Sequence, residues 1–171
     1  GRWRDVPCGH RRPRIGGRSV VSALAVERIA FERDRMVLLV RVAGGPAACL
    51  GPAAAARLSA ARPFLTRHAC LNAEGASFGA ILDRTSLPHV LEHLVIDFQA
   101  EAQAQAAARG AHRPAATFST ARNRSAATFV GTTEWLDERA GLARVAVNFT
   151  DDLIALAALK AACALMEGMV D

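Results

Sequence analysis

Short apolar runs, rich in β-branched residues, mark the strands of this chain. Residues 35–42 read Arg-Met-Val-Leu-Leu-Val-Arg-Val, which predicts a strand that Gly44-Gly45-Pro46 ends. Residues 19–31 are mixed and fit either a helix or a strand. Further strands are predicted at 117–121, 126–131 and 143–149, with a loop or hairpin over 135–141.

Helix signals occupy the segments between these runs. Pro52 opens an alanine-rich helix that extends to about Arg62, and Pro63 closes it. Residues 65–75 are expected to form an irregular connection, after which Ser77 caps a short helix to Arg84.

The longest predicted helix begins after Ser86, its expected N-cap, and ends at Gly110. A final helix is predicted over 153–166, with Thr150 as its cap. An apolar stripe follows the long helix at Leu91, Leu94, Val95, Phe98 and Ala102.

Helices and strands do not alternate as they do in parallel α/β folds. The pattern therefore predicts an α+β fold, a single domain in which a small, mostly antiparallel sheet packs against two long helices. Residues 19–171 form this domain, and residues 1–18 are expected to be a flexible tail rich in Arg, Gly and Pro.

Charge argues against a nucleic-acid-binding protein. The chain has a net charge of +5, but residues 1–18 hold six of its 21 basic residues and one of its 16 acidic residues, so residues 19–171 carry 15 of each. A nucleic-acid-binding domain is expected to carry a basic face on its folded body. No apolar run is long enough to cross a bilayer. The four cysteines show no C-x-x-C pair and no disulfide-like spacing, which favours a reducing, cytoplasmic location.

The long predicted helix carries the sequence His89-Val-Leu-Glu92-His93. Residues four apart on a helix project from the same side, so His89 and His93 are candidate ligands of one metal ion. The order H-x-x-E-H is that of the inverzincin metallopeptidases. Glu92 is then the candidate catalytic residue, a general base that accepts a proton from the attacking water. The alternative is a surface helix with two solvated histidines and a glutamate that makes an i,i+3 pair.

Two histidines leave a catalytic zinc ion in need of a third protein ligand. Asp151, Asp152 and His68 are the candidates. The sequence does not indicate where the loop that contains His68 and Cys70 lies relative to the long helix. Glu101 is too far, about 12 Å along the helix axis from His93. Because His89, Glu92 and His93 fall on a strip beside the apolar stripe, the motif is expected at a boundary of the core, on the wall of a cleft.

Residues 64–165 resemble the N-terminal domain of cyanophycin synthetase. The resemblance is carried by His68-Ala-Cys70, by Phe78-Gly-Ala-Ile-Leu82 and by the stretch from Leu87 to Gln99. A further segment, 145–158, is similar to the family pattern V-V-F-E-Y-x-x-E-x-x-G-x-x-A.

The resemblance implies a metal-dependent hydrolase that trims a polyamide of Asp and Arg. It implies His89, His93 and Asp152 as ligands of Zn²⁺ or another divalent transition metal, with Glu92 as general base. The ATP-grasp and Mur-ligase-like modules of that family are missing here, so a separate synthetase is an expected partner. Neither nucleic acid nor a membrane is an expected partner.

Three positions depart from the family pattern. Asp152 is one methylene shorter than the family glutamate, Ala155 replaces a glycine and Asn148 replaces a glutamate. The alternative function is therefore a non-catalytic module with a vestigial metal site, which binds a polyamide or a protein.

Overall fold

A four-stranded antiparallel sheet and three helices make up the fold. The computed structural model describes residues 23–72, 75–111 and 128–169. The main sheet has the order β1-β2-β6-β5, and a two-stranded antiparallel sheet is formed by β3 and β4. The strands are β1 (Leu24–Glu32), β2 (Arg35–Val42), β3 (Ala69–Asn72), β4 (Gly75–Ser77), β5 (Gly131–Asp137) and β6 (Leu142–Asn148). The helices are α1 (Pro52–Ala61), α2 (Leu87–Ala111) and α3 (Asp152–Glu167).

The core lies on one face of the main sheet. Alternate residues of β2 are buried, and they pair in register with alternate buried residues of β6. These side chains are Met36, Leu38, Val40 and Val42 on β2 and Ala143, Val145 and Val147 on β6. Helix α2 contacts β2, β5 and β6 on this side and also contacts α3. The predicted α+β fold with a small antiparallel sheet and two long helices is confirmed.

The local predictions vary in accuracy. The strand at 35–42 is confirmed to the residue, and the ambiguous segment 19–31 contains a strand, β1. The irregular connection expected at 65–75 is wrong in part, because β3 and β4 pair within it. The short helix expected after Ser77 is only a 3-10 turn, Phe78–Ala80.

The strand expected at 126–131 begins later. Residues 128–130 are not in a strand, and β5 starts at Gly131. Val130 accepts a hydrogen bond from the N–H of Asn148, but its own N–H donates to the Asn148 side chain and not to a backbone carbonyl. This register is favoured because it places Thr133 and Trp135 opposite Val145 and Ala143, on the core side of the sheet. The predicted tail at 1–18, the predicted strand at 117–121 and residues 126–127 lie outside the described residues.

Helix α3 is capped by Asp151 and not by Thr150. The Asp151 carboxylate accepts a hydrogen bond of 3.0 Å from the backbone N–H of Ile154. An aspartate at this position satisfies one of the free N–H groups of the first turn and also interacts favourably with the helix dipole.

Two further observations concern membrane-spanning helices and disulfides. Within the described ranges, no helix is both long and apolar enough to cross a membrane. Cys70 and Cys163 are free thiols, whereas Cys49 is disulfide-bonded, which corrects the expectation that the cysteine spacing excludes a disulfide.

Replacing the cap tests the start of α3. We expect Asp151→Ala to lower the free energy of unfolding by about 1 kcal/mol, since the N–H of Ile154 loses its acceptor. Thr150→Ala is the matched control and should change stability by less than about 0.5 kcal/mol. Chemical denaturation of both variants measures the difference, and equal losses would contradict the cap assignment.

Candidate metal centre

The H-x-x-E-H motif lies in the first two turns of α2, and most of it is buried. Glu92 is 5% exposed and His93 is 4% exposed, while His89 is partly buried. The expectation of a cleft wall is therefore wrong. The first half of α2 is enclosed by the main sheet on one side, and by residues of the small sheet and its flanking turns on another.

Cys70 joins the two histidines of the motif. One ligand atom from each of Cys70, His89 and His93 lies within 4.8 Å of the other two. Cys70 Sγ lies 3.5 Å from His89 Nε2. Zinc–sulfur and zinc–nitrogen bonds of ordinary length at a tetrahedral angle place S and N about 3.5 Å apart. This separation therefore suits two ligands of one ion.

A hydroxyl group orients the first imidazole. Thr85, just before α2, is buried, and its Oγ1 lies 2.9 Å from His89 Nδ1. The other ring nitrogen, Nε2, then faces Cys70 Sγ. A hydrogen bond to the far nitrogen of a histidine fixes its orientation and favours metal binding at the near one.

The second imidazole is held by stacking. The ring of Phe78 lies against the ring of His93, with 3.9 Å between centroids and 20° between planes. Burial, with a smaller electrostatic contribution from His89 and His68, lowers the pKa of His93 to about 3. His93 is therefore neutral at physiological pH, the form that binds a metal.

An ion-pair network lies behind His93. His68 Nδ1 is 3.3 Å from His93 Nδ1, and His68 Nε2 is 3.2 Å from Asp97 Oδ1. Arg62 Nε donates to Asp97 at 2.5 Å, and Arg62 also pairs with Glu101 at 2.6 Å. Burial would raise the pKa of Asp97, but hydrogen bonds from His68 and Arg62 lower it below its ordinary value. Asp97 is therefore a carboxylate.

Glu92 faces the main sheet. Thr133 Oγ1 on β5 donates to Glu92 Oε2 at 2.5 Å. A Cβ atom at Gly131 would lie 2.6 Å from Glu92 Cγ, so the absence of a side chain at Gly131 makes room for Glu92. Burial raises the pKa of Glu92 to about 7, although the Thr133 hydrogen bond acts to lower it. Glu92 is not one of the three grouped ligands.

Asp152 does not join the cluster in the part of the chain that the structure describes. It is exposed in the first turn of α3, where its carboxylate accepts from the N–H of Leu153. Asp151 is occupied as the helix cap, and His68 lies beside His93 without joining the three grouped ligands. Glu101 pairs with Arg62, in agreement with its exclusion as a ligand.

The sequence pattern did not identify Cys70 or Asp97 as part of the site. Cys70 follows His68 by two residues, and β3 carries it to α2. The H-x-C spacing was the available signal, but the position of that segment relative to α2 could not be read from it. Asp97 follows His93 by four residues, the spacing of neighbours on a helix face.

Comparison of the chain with protein-family models, with curated proteins and with solved structures found no match.

The ionisation of Glu92 should make the free energy of unfolding depend on pH. Glu92 keeps its proton up to a pH of about 7 in the folded chain and loses it near 4.5 when unfolded. The folded state therefore binds more protons between these values, and the Glu92 contribution to stability falls by about 3 kcal/mol as pH rises through them.

His93 acts in the opposite direction, since its pKa falls from 6.5 to about 3 on folding and stability rises with pH between these values. Comparing Glu92→Gln with the wild type isolates Glu92. We expect the variant to gain about 3 kcal/mol relative to the wild type from pH 4.5 to 8. Denaturant unfolding in a chelator measures it, and a constant difference would show that the pKa of Glu92 is not raised.

Proposed function

We propose that the protein is a metal-dependent hydrolase of peptide or isopeptide bonds, with Cys70, His89 and His93 as the ligands of one divalent transition-metal ion. The observation that carries the proposal is the convergence of these three side chains from β3 and α2. Sulfur and imidazole nitrogen are typical zinc ligands, and three protein ligands leave one position open, as in catalytic zinc sites. Cys70 thereby takes the role that the sequence suggested for Asp152.

The reaction draws on the surroundings of the cluster. A bound zinc ion would make a water molecule more acidic and polarise an amide carbonyl. Glu92, next to His93 in sequence, is the proposed general base that accepts the proton of the attacking water and passes it to the leaving nitrogen. To do so, its carboxyl must exchange its hydrogen bond with Thr133 for one with water.

The proposed substrate is a polyamide of Asp and Arg or a related peptide. This class comes from the resemblance of residues 64–165 to the cyanophycin synthetase N-terminal domain, and the cluster adds a chemistry that fits amide hydrolysis. A separate synthetase and a cytoplasmic location belong to the same proposal.

The burial of the cluster favours a second candidate function. Cys70 and His93 are almost fully buried, and Phe78 covers one face of the His93 ring. A metal ion held in closed surroundings stabilises a fold without reacting. The alternative is thus a non-catalytic module that binds a polyamide or a protein and retains the metal site.

Metal titration tests the ligand set. We expect one Zn²⁺ or Co²⁺ ion per chain, and we expect Cys70→Ser and His89→Ala to weaken binding by about 100-fold or more, because each removes one of three ligands. A Co²⁺ complex with Cys70 should also show thiolate-to-metal charge transfer in its absorption spectrum.

Cys163→Ser and Asp152→Asn are the matched controls for this titration. The first removes the other free thiol of the described residues, and the second neutralises the carboxylate suggested by the resemblance. Both should bind like the wild type. Loss of metal in Asp152→Asn but not in Cys70→Ser would reverse the assignment.

Glu92→Gln separates catalysis from metal binding. We expect this variant to bind metal like the wild type and to hydrolyse amides about 10² to 10⁴ times more slowly, because it lacks the general base. Release of new amino termini from an Asp/Arg polyamide and from Arg-rich or Asp-rich peptides measures the rate. A metal-loaded wild type that cleaves none of them would favour the non-catalytic module.

A further inference from the structure

We propose that Asp97 and His68 form a hydrogen-bonded relay that holds His93 as its Nδ1–H tautomer and so reserves His93 Nε2 for the metal. The relay concerns the protonation sites of neutral imidazoles in the metal-free chain, and only its consequence for metal affinity rests on the proposed function. Asp97 and His68 are positioning residues in this proposal, and neither binds the metal.

The first step of the relay sets the tautomer of His68. Its Nε2 lies 3.2 Å from Asp97 Oδ1, and Asp97 is a carboxylate that can only accept. The ring must therefore carry a hydrogen on Nε2. A neutral imidazole has a single N–H, so His68 Nδ1 is left with a lone pair.

The second step determines the tautomer of His93. The two Nδ1 atoms are 3.3 Å apart, and a contact between two nitrogens at this distance requires one donor and one acceptor. Since His68 Nδ1 is the acceptor, His93 Nδ1 must be the donor. His93 Nε2 then carries the lone pair that a metal ion requires.

The burial of His93 favours this one arrangement of donors and acceptors. His93 is 4% exposed, so water does not offer its ring nitrogens an easy alternative partner, and Phe78 stacks on the ring and resists its rotation. Arg62 anchors the far end of the relay by binding the second oxygen of Asp97.

A spectroscopic test reads the tautomer directly. The ¹⁵N chemical shifts of the imidazole rings distinguish Nδ1–H from Nε2–H in the metal-free protein at pH 8 in a chelator, and His93→Gln assigns the signal of His93. We expect Nδ1–H for His93 in the wild type, although an unconstrained neutral histidine favours Nε2–H. A wild-type His93 in the Nε2–H form would overturn the relay.

Two variants break the relay at different points. We expect His93 to change to the Nε2–H form in His68→Ala and in Asp97→Ala, and to keep Nδ1–H in Glu101→Gln, which removes only the other partner of Arg62. His68→Ala leaves no charge unpaired, so it remains informative if Asp97→Ala fails to fold. An unchanged tautomer in a folded His68→Ala protein would also overturn the relay.

Metal titration of the same proteins then links the relay to the site. We expect His68→Ala to bind Zn²⁺ about 10 to 100 times more weakly than the wild type and Glu101→Gln. In the Cd²⁺-loaded protein, ¹¹³Cd–¹⁵N coupling should appear at His93 Nε2, and coupling at Nδ1 would refute the assigned ligand atom. The expected tautomers without metal binding in any protein would instead refute the proposed function and leave the relay intact.

Discussion

Enclosure of the first half of α2 is the constraint on which the rest of the structure depends. A buried polar side chain destabilises the fold unless it has a hydrogen-bond partner. Glu92, His93, Asp97 and Gln99 are all nearly inaccessible to solvent, and each contacts a group from a neighbouring element. Only Gln99 Oε1, among buried side-chain atoms of the described residues, has no partner. The positions of β3, β5 and α1 are therefore constrained, because residues on or next to these elements supply hydrogen-bond partners for the buried polar groups of α2.

The enclosure divides the polar groups of α2 between two sides. His89 and His93 face Cys70, His68 and Phe78, whereas Glu92 faces Thr133 and Gly131 on β5. Helical spacing accounts for the division, because residues four apart share a face and a residue one position away points about 100° around the axis. The proposed base and the proposed histidine ligands thus face different sides of α2.

Local signals in the sequence predicted the elements, and long-range pairing decided the site. The strand at 35–42 and the start of α2 were predictable because an apolar, β-rich run and a proline in the first helical turn act within a few residues. The arrival of Cys70 at His89, nineteen residues away in the chain, depends on how β3 packs against α2. No periodic pattern in the sequence predicts that packing. The assignment of Asp152 rested on a resemblance, and the carboxylate lies exposed at the start of α3.

The composition of the cluster also favours one class of metal over another. A thiolate and two imidazoles are soft or intermediate donors, which suit Zn²⁺ and other late transition metals better than Mg²⁺ or Ca²⁺. Among the three grouped side chains, the only negative charge would be that of ionised Cys70. A divalent ion would keep a net positive charge in nearly dry surroundings, where it attracts electron-rich oxygen strongly. One thiolate and two neutral imidazoles would thus leave a divalent ion electrophilic.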